Sequence, residues 1–304
     1  MKHVRASAGP DAPKPPALIY LKLVAVTLFW GGTFIAGRVL AQAMPPLVAA
    51  AGRFALAAVL LLLLAWQVEG GLPRLTRRQW GATLLLGATG VFLYNLFFFG
   101  ALARLPASRT ALIIALNPIV TAIATALLLR ERLGPARWAG IALALLGSAV
   151  VITRGDPTAA LEESVGVGEL LMFGGVCAWA AYTLIGRRAM QGLTPIAATT
   201  YAALWGGLLL CLGALWQWEG LPPEALDAKS LIAIGYLGLF GTVLGFVWYY
   251  EGVKALGPSR AAVFNNLVPV FGVALGAALL GEEVLLSMLL GGALVVAGVM
   301  LTNR

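Results

Sequence analysis

Arg53 lies inside the apolar run PLVAAAGRFALAAVLLLLLAW. A cation in such a setting is costly and marks a functional site by default. Its planar fork can hold a substrate carboxylate through two parallel bonds. It can equally snorkel outward along its aliphatic stem, or bind the carbonyls at a helix C-terminus. Both readings are open from the residues alone.

Amphipathic aromatics recur at helical spacing. Trp30, Thr33, Phe34 and Gly37 stand at i, i+3, i+4 and i+7 and share one helix face. Trp179, Tyr182, Thr183 and Gly186 repeat that spacing. Such a face stacks on a planar group or grips an ammonium by cation–π contact. It also serves plain packing, because Gly31 and Gly32 let helices approach closely. Tyr94, Asn95 and Tyr201 are further polar candidates for a substrate site.

Asn117-Pro118 and Asn265, Asn266 and Pro269 fall in the middle of apolar runs. A mid-helix proline removes a donor and clashes with the carbonyl four residues back, here Ile114 and Asn265. Freed polar groups at membrane depth survive only against protein or a water-filled cavity. The two prolines are therefore expected to kink helices that line such a cavity. Trp248, Tyr249 and Tyr250 read as an interfacial aromatic belt.

Other chemistry is poorly supplied. His3 is the only histidine, and Cys177 and Cys211 both fall within apolar runs. No acidic pair sits within such a run, so no catalytic residue, metal site or cofactor is expected. The 13 acidic residues fall in the N-terminal tail, in loops or at helix ends, with Glu169 and Glu251 nearest to a run.

These residues need helices in a membrane to position them. The chain of 304 residues is 60% hydrophobic and only 11% charged, with mean hydropathy +0.90. A soluble domain carries about 25% charged residues. About 20 apolar residues cross the hydrocarbon core, and ten runs fit: 17–38, 46–67, 80–103, 107–129, 136–153, 168–188, 196–217, 230–250, 259–280 and 284–302. Residues 1–16 (MKHVRASAGPDAPKPP) lack an apolar signal core and read as a disordered cytoplasmic tail. The polar stretch Arg154–Val167 separates five runs from five.

The net charge of +8 would suggest nucleic acid in a soluble protein, but here the basic residues sit in short loops and set topology, so no nucleic-acid partner is expected. With the N-terminus inside, 15 Lys and Arg lie on the cytoplasmic side and five outside, Arg53 being within a span. Both termini are thus expected in the cytoplasm. Ser108-Arg109 and Ser259-Arg260 would open spans four and nine, with Ser as cap and Arg at the headgroups. Glu131 and Glu282 would favour the dipoles at the starts of spans five and ten.

The chain also repeats itself. A shift of 149 residues places Trp30 on Trp179, Gly37 on Gly186, Arg38 on Arg187 and Pro46 on Pro195. A shift of 151 places Gly90 on Gly241, Ser108-Arg109 on Ser259-Arg260, Pro118 on Pro269, Glu131 on Glu282 and Gly147 on Gly298. Repeats 17–153 and 168–304, joined by a linker over 154–167, each hold an odd number of spans. The second copy therefore enters the membrane from the opposite side, a plan common among secondary transporters that suits alternating access.

The runs LFWGGTFIAGRVL, RLPASRTALIIALNPIVTAIATALLLRERLGPARWAG and LGPSRAAVFNNLVPVFGVALGAALLGEEV resemble the EamA-type transporters of the drug/metabolite transporter superfamily, over almost the full length. Within it the chain resembles the YddG-type aromatic amino-acid exporters. The resemblance implies ten transmembrane helices, a bacterial inner-membrane location and efflux of amino acids or similar small metabolites. Small multidrug exporters of the same superfamily carry an acid in their first helix. This chain has none in span one or six, so facilitated transport without obligatory proton exchange is expected. Efflux of organic cations is the alternative carrier reading, and a membrane-embedded enzyme the alternative from another class. Lipid and the small-molecule substrate are the expected partners, with a monomeric state left open.

Overall fold

The computed structural model describes residues 17–129, 134–152, 166–189, 192–256 and 264–302. Among these there is no strand; the described chain is helical throughout. In order the helices are α1 (Ala17–Ala43), α2 (Pro46–Glu69), α3 (Arg77–Leu102), α4 (Ala107–Ile114), α5 (Asn117–Leu129) and α6 (Pro135–Ile152). Then follow α7 (Val167–Ala189), α8 (Pro195–Gln217), α9 (Ala228–Gly238 continued through Leu239–Leu244 and Gly245–Leu256), α10 (Val268–Leu280) and α11 (Leu286–Thr302). Six are long and apolar enough to cross a membrane: α1, α2, α3, α7, α8 and α9. Shorter apolar helical stretches lie at Ala107–Thr121, Trp138–Val151, Val268–Leu280 and Leu286–Gly298.

Helix starts follow local rules. Pro46 and Pro195 occupy the first turns of α2 and α8, where a missing N–H costs nothing. Thr76 accepts the Gln79 N–H while the Gln79 side chain answers at the Thr76 N–H, a reciprocal cap for α3. Asp227 caps α9 by accepting the Ser230 N–H at 2.8 Å, which also holds its carboxyl below the usual range.

Two kinds of irregularity interrupt the long helices. One kind lies just before the prolines expected to kink the helices. Residues 115 and 116 separate α4 from α5 with i→i−3 bonds, Ala115 N–H to Leu112 and Leu116 N–H to Ile113, and Pro118 follows as the second residue of α5. Likewise a 3₁₀ turn, Asn265–Leu267, precedes α10 and its Pro269. The other kind was not anticipated. Gly87–Leu93 in α3 and Leu239–Leu244 in α9 are π segments, with Tyr94 N–H reaching Thr89 and Gly245 N–H reaching Phe240. Such segments are rare and gather at functional sites, because each widens the helix and re-aims its side chains.

The bundle closes through small residues. Helices α6 and α11 run along each other, and a Cβ on Gly291 would come within 2.6 Å of the Gly147 carbonyl. Only glycine permits that backbone approach. Elsewhere α2 packs on α8, α1 on α10 and α3 on α7. Much of the outer surface is apolar: Trp216 is 91% exposed and Ile232 72%. Surface of that kind belongs in lipid, and the chain is a multi-pass membrane protein.

At one end of the bundle Glu282 corrects an expectation. It lies before α11, and its carboxylate accepts the N–H groups of Ala107 (2.7 Å) and Ser108 (2.9 Å) at the start of α4. It therefore caps a helix from the other half of the chain rather than its own. Ser108 is not the cap of α4; Pro106 holds that position. Nor does Arg109 reach for headgroups. It is 7% exposed, with Nη2 2.8 Å from Glu169 Oε1 at the start of α7. Ser259, Arg260, Glu131 and the 153–165 stretch lie outside the described residues.

Candidate functional site

A cavity of about 120 Å³, partly open to solvent, lies among α1, α2, α3, α4, α7, α9 and α10. Both proline breaks face it, through Ile114, Ala115 and Asn117 on one side and Asn265, Val268 and Pro269 on the other.

Arg53 lines this cavity and does not snorkel. It is 6% exposed, and its Nε donates to Thr242 Oγ1 and its Nη1 to Asn95 Oδ1, both at 3.2 Å. Each partner is itself held. Asn95 Nδ2 donates to the Val91 carbonyl at 2.7 Å, and Thr242 donates to the Leu237 carbonyl at 2.9 Å, five residues back across the π segment. Asn95 and Thr242 belong to helices that carry the two π segments. Both partners are neutral, and among the described residues no carboxylate pairs with Arg53. A guanidinium carries five N–H donors. Two of them are bound to partners among the described residues.

The aromatic residues around the cavity contact one another. Trp30 Nε1 donates to the Gly241 carbonyl at 3.1 Å, while its ring meets Phe246 at 5.9 Å and Tyr249 at 5.3 Å. Thr33 donates to the Trp30 carbonyl, and Phe34 meets Phe98 edge-on at 5.4 Å. Tyr94 stacks on Phe98 at 5.7 Å and leans on Trp179 at 5.2 Å. Trp179 in turn contacts Tyr182 at 5.2 Å. These separations suit offset and edge-to-face arrangements. Gly241 makes the assembly possible: a Cβ there would stand 2.7 Å from the Thr33 methyl and 3.7 Å from Arg53 Nη2.

Asn117 and Asn265 both line the cavity, each with a buried Oδ1 that lacks a hydrogen-bond partner among the described residues. Buried polar atoms are normally satisfied, and neither of these two is satisfied by a described residue. Asn266 contributes backbone to the 3₁₀ turn; its side chain, like that of Pro118, lies outside the described residues. Asn95 and Tyr182 line a second, smaller pocket that shares Arg53, Tyr94, Trp179 and Phe246 with the first.

Tyr201 stands apart from this group. Its hydroxyl donates to the Pro73 carbonyl at 2.8 Å in an exposed position, tying α8 to the loop before α3. Trp248 and Tyr249 pack against Phe29 and Trp30 of α1 instead of standing free in a belt. Phe98, Thr242 and Phe246 belong to the site without having been singled out. The glycines Gly90 and Gly241, matched by the 151-residue shift, were the one signal near them.

Known proteins agree with this architecture. Both halves of the chain, residues 17–153 and 166–304, match the EamA-like transporter family. The chain is 31% identical to the uncharacterized transporter YyaM of Bacillus subtilis (strain 168), covering 93% of this chain and 92% of that one. It is 30% identical to a protein of Streptantibioticus cattleyicolor named a probable terminal-alkyne amino-acid exporter, over 93% and 92%. A solved crystal structure shares the fold at TM-score 0.67 and 21% identity, covering 94% of this chain and 97% of that one. This chain is a member of the EamA-like transporter family.

Proposed function

We propose that the chain exports small zwitterionic metabolites, amino acids foremost, by alternating access of two inverted five-span halves, with both termini in the cytoplasm of a bacterial cell. The observation that carries this reading is Arg53, a buried cation lining the cavity with only neutral partners. Burying an ion without a counter-charge costs several kcal/mol. A substrate carboxylate offsets that cost each time it binds, so the site prefers ligands that carry one. The unpartnered oxygens of Asn117 and Asn265 accept from the substrate's ammonium, and the rings of Trp30, Tyr94 and Trp179 add cation–π attraction. An organic cation meets the same oxygens and rings but gains nothing from Arg53, whose charge disfavours it, so it is the poorer cargo. The terminal-alkyne amino-acid exporter of Streptantibioticus cattleyicolor is consistent with such a cargo.

Two ion pairs fit gates at opposite mouths. Arg109–Glu169 joins α4 to α7 on the proposed outer side, and Lys22–Glu251 (2.5 Å) joins α1 to α9 on the inner side. Each pair must part when its own mouth opens. Among the described residues no carboxylate lines the cavity; on this reading substrate and proton do not compete there, and export runs down the substrate gradient.

The test is flux through purified protein in liposomes, with labelled amino acids inside. Saturable efflux that accelerates with unlabelled amino acid on the far side is the expected result. An imposed pH gradient leaves the equilibrium distribution unchanged. Accumulation driven by the pH gradient alone would overturn the facilitated mechanism, and absence of any amino-acid flux would overturn the substrate class.

A further inference from the structure

The two halves differ at the positions around Arg53. The 149-residue shift carries Arg53 onto Ala202, and the 151-residue shift carries Asn95 onto Phe246 and Val91 onto Thr242. The hydrogen-bonded trio of Arg53, Asn95 and Thr242 thus has an apolar counterpart in Ala202, Phe246 and Val91. All three of these line the smaller pocket, of about 30 Å³. Where the first half places a guanidinium, the second half has a methyl group and leaves space.

That space holds one polar group with nothing to bond. Thr199 lines it and is 7% exposed, and its Oγ1 is buried without a partner among the described residues. Its neighbour Thr200 donates to the Ile196 carbonyl in the ordinary helical way, so the unbonded state of Thr199 is not a general property of this helix. The shifted position is Ala50, so the hydroxyl too belongs to the second half alone.

We infer that the pocket beside Ala202 is the side-chain subsite of the carrier, taking an apolar side chain that ends in a hydrogen-bonding atom read by Thr199. The inference rests on the proposed grip of Arg53 on the substrate carboxylate. Arg53 borders both pockets, so a carboxylate held there directs the attached side chain past the guanidinium into the Ala202 space. A pair of nearly isosteric substrates isolates the hydroxyl: homoserine ends in O–H where norvaline ends in a methyl group.

The test measures liposome transport of alanine, norvaline and homoserine by wild type, Thr199→Val and Ala202→Leu. Wild type is expected to prefer homoserine over norvaline by about threefold to tenfold, the range of one net hydrogen bond. Thr199→Val, which keeps the side-chain shape, should abolish that preference. Ala202→Leu should raise KM for norvaline and homoserine at least about tenfold, the range for crowding a filled apolar pocket, while alanine stays near its wild-type value. Alanine transport reports on the Arg53 grip alone, so its retention separates the two readings. Unchanged preference in folded Thr199→Val, or an equal loss for all three substrates in Ala202→Leu, would overturn the subsite. If wild type carries none of the three, the subsite and the proposed function both fall.

Discussion

Replacing Arg53 by lysine keeps the charge but changes the number and geometry of donors. In the native cavity Nε and Nη1 are committed to Thr242 and Asn95, which orients the fork, and the proposed carboxylate meets the remaining three N–H groups. Lysine has three donors on one atom and no plane. If it satisfies Thr242 or Asn95, it has at most two left and cannot bind bidentately. The loss is one charge-assisted hydrogen bond, worth about 1.5–3 kcal/mol. That corresponds to roughly a 10- to 150-fold weaker apparent affinity, at about 1.4 kcal/mol per decade. The assay is liposome transport of an amino acid beside its decarboxylated amine, which lacks the group that Arg53 is proposed to hold. The amino acid should lose affinity in Arg53→Lys, and the amine should change less than about twofold. Equal loss for both, with an unchanged gel-filtration profile, would refute the carboxylate assignment and leave Arg53 a structural role among α2, α3 and α9.

Cysteines placed at Asn117 and Asn265, in a background lacking Cys177 and Cys211, should react with a water-soluble thiol reagent, and substrate should slow that reaction. No labelling in any condition would return both residues to packing. Glu169→Gln should lower stability by up to about 3–5 kcal/mol, the range for removing one member of a buried ion pair. Thermal denaturation in detergent measures this, and the double variant Arg109→Met/Glu169→Leu should recover most of it. Alkaline phosphatase fused after Val167 should be active and a fusion after Arg304 inactive; the reverse pattern would sink the orientation.

Features set by nearest neighbours were legible in the residues. Apolar runs announced the long helices because lipid tolerates few charges. Pro118 and Pro269 announced the breaks because a missing N–H acts on its own turn, and the chain is interrupted just before each. Arg53 announced itself because a charge in such a run has no cheap explanation. Trp30, Phe34, Tyr94, Trp179, Asn117 and Asn265 do line one cavity, since shared faces on apolar helices must point at something. The π segments were not legible. One extra residue in a turn leaves no period or composition to read, and only the matched glycines Gly90 and Gly241 hinted at them.

What the tertiary structure decided were pairings between distant residues. Arg53 takes its partners from positions 42 and 189 residues away, and nothing local to any of the three specifies that choice. Glu282 caps α4, 175 residues upstream, because the end of α10 lies against the start of that helix and its N–H groups lacked acceptors. Tyr201 shares its residue type with the site but is held at Pro73 by the register of α8. The charged partner of Arg109 is likewise an acid of another helix, Glu169. Composition and periodicity report what each residue prefers around it. Which group supplies that environment depends on how the helices pack, and that is settled by the whole bundle at once.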